Sequence, residues 1–198
     1  SLSEEAYFYN RTFAEYQAGI GRVDRSHWLG LDALHALAPH GSSGWERPAV
    51  LRIELYGDSC AEEKQCSGRP DGFWWGEWEF GLAPADDLYR LHIAPATHGN
   101  LTVHTPKDVF YEMNNGQQFT TADRDNDSYE AVNCGQTRNY GGWWHKDCTL
   151  VALNGMYGDF KSTMRYQVWY RATMAGDPLK SSYYIHPRRS IMMVRPRV

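Results

Sequence analysis

No apolar run in this sequence approaches the ~20 residues needed to cross a bilayer, and its first residues carry no basic-then-apolar leader pattern. Membrane insertion is therefore not expected. A basic surplus is missing too. The 20 Lys and Arg are outnumbered by 24 Asp and Glu, for a formal net charge of −4, so no positive field exists to neutralise a phosphate backbone and nucleic acid is not expected as a partner. Internal repeats and low-complexity tracts are absent. There is no Gly-x-Ser-x-Gly element for a nucleophilic serine, and no Cys-x-x-Cys pair for zinc. His92, His98 and His104 recur every six residues, which is not a zinc-ligand spacing. Asp86/Asp87 and Glu77/Glu79 are more simply solvated strand-edge charges than a glycosidase pair. These absences argue against an enzyme.

What is present is aromatic and loop-rich. The chain has 198 residues, a length suited to one domain. Its 42% hydrophobic and 22% charged residues exclude intrinsic disorder. Eight Trp, 13 Tyr and 7 Phe accompany 18 Gly, which favours a loop-rich binding domain over a helical bundle. Four cysteines allow three connectivities, and the local one, Cys60–Cys66 with Cys134–Cys148, is the expectation. Asn10-Arg-Thr12 and Asn100-Leu-Thr102 read as glycosylation acceptors, and with an even cysteine count they point to an oxidising, secreted setting. A third such tripeptide, Asn126-Asp-Ser128, lies inside an acidic cluster and is expected to be engaged there instead.

The first 40 residues form the helical part. Thr12-Phe-Ala-Glu15 has capping-box spacing, with Gly19 and Gly21 ending about two turns. A second short helix is expected near Asp32–Leu37, closed by Pro39 and Gly41. Strands follow at Val50–Tyr56, Phe73–Leu82 and Tyr89–Ile93, and a last one at Ile191–Val194. Cys60 and Cys66 would staple a hairpin tip. From Asn114 onward the pieces are short and dense in Gly, Asn, Asp and aromatics. The expectation is an α+β domain with one mixed, mainly antiparallel sheet, two short helices and one loop-built functional end. Its division is a single domain over 1–198: a central part at about 1–110, a loop-rich lobe at about 111–190, and a return to the sheet at 191–196.

Chemistry concentrates in Asp123-Arg-Asp125-Asn-Asp127-Ser-Tyr129-Glu130. Alternate carboxylates converging on one point suit a hard cation, and calcium takes 6–8 oxygens, backbone carbonyls included. An EF-hand loop read from Asp123 fails, because Ser128 stands at its glycine position and Cys134 at its closing glutamate. A 15-residue loop closed by Cys134–Cys148 would contribute ~3 kcal/mol of chain-entropy stabilisation to this irregular stretch. In Tyr140-Gly-Gly-Trp-Trp-His-Lys-Asp-Cys148 the adjacent tryptophans are expected to send one ring into the core and one toward the loops.

FTTADRDND, NC, GGWWHKDC, LNGMY and the closing MMVRP, in that order and spacing, resemble the C-terminal half of a fibrinogen-like domain. FYNRTFAEYQAGIG, HWLGLDALHAL and LRIEL resemble its earlier helix, Trp-Leu-Gly segment and next strand. Fibrinogen chains, ficolins, tachylectins, angiopoietin-like proteins, tenascins and microfibril-associated glycoproteins belong to this family. The resemblance implies a calcium (Ca2+) site with Asp125 and Asp127 as side-chain ligands and Tyr129 and Ala131 as carbonyl ligands. It also implies the Cys134–Cys148 pairing. In ficolin-like members an acetyl pocket beside calcium is organised by a cis peptide before the second cysteine, here Asp147–Cys148. The corresponding pocket residues would be Asn139, Tyr140, His145, Asp147, Cys148 and Thr149. Thr149 stands where the family often has His, and the loop at 158–165 is short. The family's opening segment, with its own disulfide and strand, has no counterpart here.

The resemblance supports two readings. The first is an extracellular calcium-binding module that docks a receptor or matrix protein through its C-terminal loops, with Trp74, Trp75 and Arg69 as anchors. The second is a calcium-dependent lectin for acetylated glycans, of the innate-immune type. In either case oligomerisation would run through a region outside this sequence. Arg188, Arg189, Arg195 and Arg197 read as a solvated basic terminus rather than a heparin site.

Overall fold

The computed structural model describes residues 8–60, 66–102, 108–148, 150–158, 165–170 and 182–197. Helix α1 (Phe13–Ala18) forms where the capping box predicts. Glu15 N donates to the Thr12 hydroxyl (3.3 Å) and Thr12 N to the Glu15 carboxylate (2.8 Å), so each satisfies an orphan amide of the other. The Thr12 backbone bond also holds the Glu15 carboxyl below its ordinary pKa. After the short hairpin β1 (Ile20–Gly21) and β2 (His27–Trp28), helix α2 (Leu31–Leu37) buries Leu31 and Leu34. A second small hairpin, β3 (His40–Gly41) and β4 (Gly44–Trp45), leads into the central sheet.

That sheet is built on β5 (Ala49–Tyr56) and β6 (Phe73–Leu82). In β5 the alternation puts Ala49, Leu51, Ile53 and Leu55 on one buried face, and Trp74, Trp78 and Phe80 of β6 share it. The strand order is β12 (Arg189–Pro196), β5, β6 and β7 (Leu91–Ile93), with β8 (His98–Gly99) also on β6. All of its ladders are antiparallel. Parallel pairing among the described residues is confined to isolated bridges, Pro39 with Leu82 and Cys66 with Tyr184. On the opposite face Arg52 pairs with Glu54 (2.7 Å) and Glu77 (3.1 Å) and stacks on Trp75. The fold is α+β, as expected.

Strand β7 (Leu91–Ile93) starts two residues later than its sequence suggests. Leu88 and Tyr89 take left-handed backbone conformations (φ 53° and 49°), which no strand allows. This turn aims Tyr89 inward, where its hydroxyl bonds Asp32 and its carbonyl accepts Trp144 Nε1 (2.8 Å). Two further short helices, α3 (Val109–Asn114) and α4 (Cys134–Thr137), lie beyond the two expected. So does a separate antiparallel sheet of β9 (Val151–Ala152), β10 (Gln167–Tyr170) and β11 (Tyr183–Ile185).

Helix α1 and strand β2 meet the segment after α3 in an aromatic cluster. Phe119 lies 5.2 Å from Tyr16, 5.9 Å from Trp28 and 5.1 Å from Trp144. The expectation of one loop-facing tryptophan is corrected: Trp143 and Trp144 are both wholly buried. Trp144 packs on Trp28, and Trp143 on Phe110 of α3, so the two sides of the segment are each covered. Tyr16 also ties α1 to the tryptophan segment by hydrogen bonds. Its hydroxyl donates to the Phe8 carbonyl (2.7 Å) and accepts from Gly142 N (3.2 Å).

Two outcomes follow. Tyr16→Phe keeps the ring but strands a buried amide, so urea unfolding should show a loss of about 1–3 kcal/mol at an unchanged m-value. The second concerns His92, whose ring stacks on His40 at 3.7 Å. Burial, then the neighbouring His40, hold His92 down to about 4. An unfolded histidine titrates near 6.5, so below that pH the unfolded chain binds the extra proton. Stability should fall as pH drops from about 6.5 to about 4. Urea midpoints across that range should decline, and His92→Phe should flatten the slope; an unaltered slope would rule His92 out as its source.

Candidate functional site

The segment from Phe119 to Cys148 is held at both ends. Thr120 and Trp143 exchange backbone hydrogen bonds (2.9 and 3.0 Å), and the Cys134–Cys148 disulfide closes the far side. Cys60–Cys66 is also formed, so the local connectivity holds throughout. Gly141 and Gly142 permit close approach of the Asn154 backbone and the Tyr16 ring. Gly141 has φ +72°, and a Cβ there would sit 2.5 Å from the Asn154 carbonyl; one at Gly142 would strike the Tyr16 ring at 2.4 Å.

Within this frame the acidic run does not act as one cluster. Asp123 turns away. Its carboxylate accepts Phe13 N (2.9 Å), an orphan amide at the start of α1, and the Thr121 hydroxyl (2.7 Å). Asp125 and Asp127 remain together. Asp125 Oδ1 accepts the Asp127 amide (3.3 Å), while Asp127 accepts Tyr129 N and Cys134 N (both 2.8 Å). Burial, followed at a distance by the charge of Asp125, raises the Asp127 pKa above its ordinary value despite the two amide bonds that lower it. Two adjacent carboxylates, one of them made reluctant to ionise, form a site that a hard cation would relieve.

The rest of the loop is fixed by polar side chains. Asn126 donates to the Phe119 carbonyl (2.7 Å). Ser128 N donates to the Lys146 carbonyl (2.9 Å) and its hydroxyl to Gln117 (2.6 Å), bringing the acidic run against the tryptophan segment. Asn133 caps α4 and donates to the Thr121 carbonyl (2.9 Å). No sequence motif singles out Gln117 or Lys146 for these roles. Tyr129 and Ala131 lie exposed at the loop's outer turn, and the Tyr129 carbonyl also accepts Val132 N (3.3 Å).

The expected ligand residues divide by burial. Asn139 is exposed at φ 57°, and its carbonyl accepts Met156 N (2.8 Å). Tyr140 and His145 are buried, their rings 6.2 Å apart. His145 Nε2 donates to the Gly141 carbonyl (2.9 Å), which fixes the tautomer and leaves Nδ1 buried without a partner among the described residues. Burial holds this imidazole down to about 4, against the opposing pull of Gly141 and Asp125, so it is neutral at pH 7. Asp147 is exposed and Cys148 half-buried. Thr149 and residues 159–164 of the short loop lie outside the described residues, as does His104. The Asp147–Cys148 bond, expected cis, is trans, because the described residues contain no cis peptide; trans is the form favoured by ~3–4 kcal/mol for a non-proline bond.

Other candidates read from the sequence are spent elsewhere. Trp74 is buried in the core and cannot be a docking anchor, and Trp75 lies under Arg52. Glu77 receives Arg52 and Arg195, and Glu79 receives Arg197 (2.6 Å). Of the acceptor asparagines, Asn10 is exposed, whereas Asn100 bonds the β6 backbone through Trp75 N (2.8 Å) and the Phe73 carbonyl (2.9 Å).

The family model for the C-terminal globular domain of the fibrinogen beta and gamma chains matches residues 4–197. The chain is 29% identical to human angiopoietin-related protein 6 over 188 residues, covering 93% of this chain and 33% of that protein. It is 31% identical to the human fibrinogen alpha chain over 157 residues, 75% of this chain and 16% of that one. The chain thus spans a third or less of these relatives. Among solved structures, the fibrinogen-like globe domain of human ANGPTL6 superposes with a TM-score of 0.69 at 26% identity, covering all of this chain and 76% of that one. Such kinship and two disulfides assign the chain to the secreted, extracellular class.

The division of labour among the aspartates is testable. Asp123→Ala should lower the unfolding free energy by about 1 kcal/mol or more in EDTA, by freeing the Phe13 amide. It should leave any calcium-induced rise in melting temperature intact.

Proposed function

Because this chain belongs to the fibrinogen C-terminal globular domain family, we propose that it is an extracellular, non-catalytic recognition module whose calcium-ordered C-terminal loops dock a receptor or matrix protein. The observation that carries the calcium half is the placement of Asp125 against Asp127, whose amide it accepts and whose carboxyl burial raises above its ordinary pKa. Asp125 and Asp127 would hold the ion with their side chains, and Tyr129 and Ala131 with their carbonyls. Bound calcium supplies positive charge that screens the two carboxylates and cross-links an otherwise irregular turn.

Protein recognition is favoured over the lectin alternative by what the loop presents. Tyr140 and His145, which would line an acetyl pocket, are only 6% and 0% exposed. Beside the acidic turn stand Tyr129, 45% exposed, and Val132, 37% exposed. An aromatic and an aliphatic group on a rigid, disulfide-closed loop form a small hot spot of the kind that anchors protein interfaces. An acetylated-glycan ligand is the competing occupant of the same end.

Calcium should raise the melting temperature of the chain, and EDTA should reverse the rise. Asp125→Asn and Asp127→Asn, which keep hydrogen-bond acceptors but remove charge, should abolish that response. A melting temperature indifferent to calcium in the unsubstituted chain would refute the metal assignment. Calcium-dependent retention on N-acetylated resin, absent from an unacetylated control, would instead establish the lectin reading.

A further inference from the structure

Beyond the end of β5 the chain enters a buried polar knot that the acidic loop does not use. Its centre is Asp58, a carboxylate only 1% exposed. Oδ1 accepts the amides of Cys60 (3.0 Å) and His186 (3.2 Å), and Oδ2 accepts the amide (2.9 Å) and hydroxyl (2.6 Å) of Ser67. One side chain thereby fixes the backbone at Cys60, at the residue after Cys66, and at His186, which lies 128 positions further on. Two more contacts close the knot. Ser59 N donates to the His186 carbonyl (2.9 Å), and Cys66 forms a parallel bridge with Tyr184 of β11.

Two sulfurs and an imidazole therefore converge. The Sγ atoms of Cys60 and Cys66 and a ring nitrogen of His186 all lie within 4.8 Å of one another, and all three residues are buried. A tetrahedral zinc ion, with bonds of ~2.3 Å to sulfur and ~2.0 Å to nitrogen, sets its ligand atoms about 3.5–3.8 Å apart. The cluster meets that spacing once the sulfur–sulfur bond opens. Burial holds the His186 imidazole below its ordinary pKa, against the opposing charge of Asp58, so the ring is neutral at pH 7 as a ligand must be. The Tyr184 ring stands 5.9 Å from it, backed by Trp169 at 4.5 Å, and gives the site an aromatic wall. A staple alone does not account for this arrangement. Cys60 and Cys66 are only six positions apart, a loop too short to gain much from closure, and Asp58 already ties both of its ends.

We propose that Cys60, Cys66 and His186 form a redox-gated metal site, which takes a thiophilic divalent cation of the zinc class when the disulfide is reduced. The reductant is a dithiol. One of its thiolates attacks a cysteine sulfur, the Cys60–Cys66 bond breaks, and its second thiol resolves the mixed disulfide. The dithiol loses two electrons and two protons and becomes a disulfide; Cys60 and Cys66 gain both and become thiols. The cation then displaces the two thiol protons to solvent and binds two thiolates and the neutral imidazole. Asp58 is a positioning residue, holding the ligand backbones in place while the covalent link is open. The disulfide and the ion are alternative closures of one turn, so the junction of β5 with β11 stays tied in either redox state. The site uses none of the acidic loop and does not rest on the calcium reading.

The test reduces the 198-residue chain with dithiothreitol, removes the reductant without air, and titrates with Co2+ as a spectroscopic stand-in for zinc. The reduced chain should show thiolate-to-cobalt charge transfer and tetrahedral ligand-field bands that saturate at one equivalent and vanish when zinc is added. The oxidised chain should show neither, and Cys60→Ser with Cys66→Ser should lose both. Zinc should slow iodoacetamide alkylation of Cys60 and Cys66 at least tenfold, read by peptide mass spectrometry, and leave Cys134 and Cys148 unprotected. His186→Ala should weaken zinc at least tenfold in competition with a chelator and change the cobalt bands. Asp58→Asn should weaken it about tenfold with the bands retained, as expected of a residue that orients ligands without touching the ion. If either variant fails to fold by circular dichroism, the alkylation pattern of the unsubstituted chain decides. Zinc affinity should be the same with and without calcium, which separates this site from the acidic loop. A folded, reduced chain without cobalt bands overturns the proposal. So does protection that falls on Cys134 and Cys148, or a Cys60–Cys66 bond that opens only when the chain unfolds.

Discussion

The structure depends on how closely the Gly141–Gly142 pair approaches Tyr16. That ring occupies the space a side chain on Gly142 would need, and its hydroxyl takes the Gly142 amide while donating to Phe8. One residue of a two-turn helix thereby fixes the start of the tryptophan segment. From there Trp143 and Trp144 are carried to opposite covers, and the Thr120–Trp143 bridge sets the beginning of the acidic loop. The functional end is irregular, yet it is anchored by a contact that tolerates little displacement.

Electrostatics then sorts residues that look equivalent in the sequence. Asp123, Asp125 and Asp127 alternate, but only two are left to face a common point. Asp123 is captured by α1, whose first amides need an acceptor that the helix cannot supply. The same loop holds a neutral, buried histidine at position 145 whose second ring nitrogen has no partner among the described residues. Polar groups left in such states cost stability, and they are tolerated here within a scaffold that is otherwise a dense aromatic core.

Much of the fold was legible because its signals are local. The capping box from Thr12 to Glu15 depends on four residues, and the alternation of Val50–Tyr56 and the run Phe73–Leu82 depend on their own periodicity. Both disulfides join cysteines near in sequence. What escaped depends on partners far away in sequence. The late start of β7 follows from Tyr89 reaching Asp32 and Trp144. The burial of both adjacent tryptophans follows from covers at Trp28 and Phe110. The terminal arginines look alike in sequence, yet Arg195 and Arg197 are neutralised by Glu77 and Glu79 while Arg189, on the same face of β12, lies over the Tyr56 ring, a distinction set by what β5 and β6 place opposite each. Strands β9 to β11 are too short for any period to declare itself.

The placement of β12 has a consequence for how the molecule comes into being. Its partner β5 lies far earlier in sequence, with residues 49–56 paired to 196–189. The inner strand of the sheet must therefore wait, one edge unsatisfied, until residues 189–196 have been synthesised. Contacts of such long sequence separation slow folding and prolong exposure of unpaired strands. The early β5–β6 pair, rich in tryptophan and leucine, is then the part most in need of protection by chaperones during secretion.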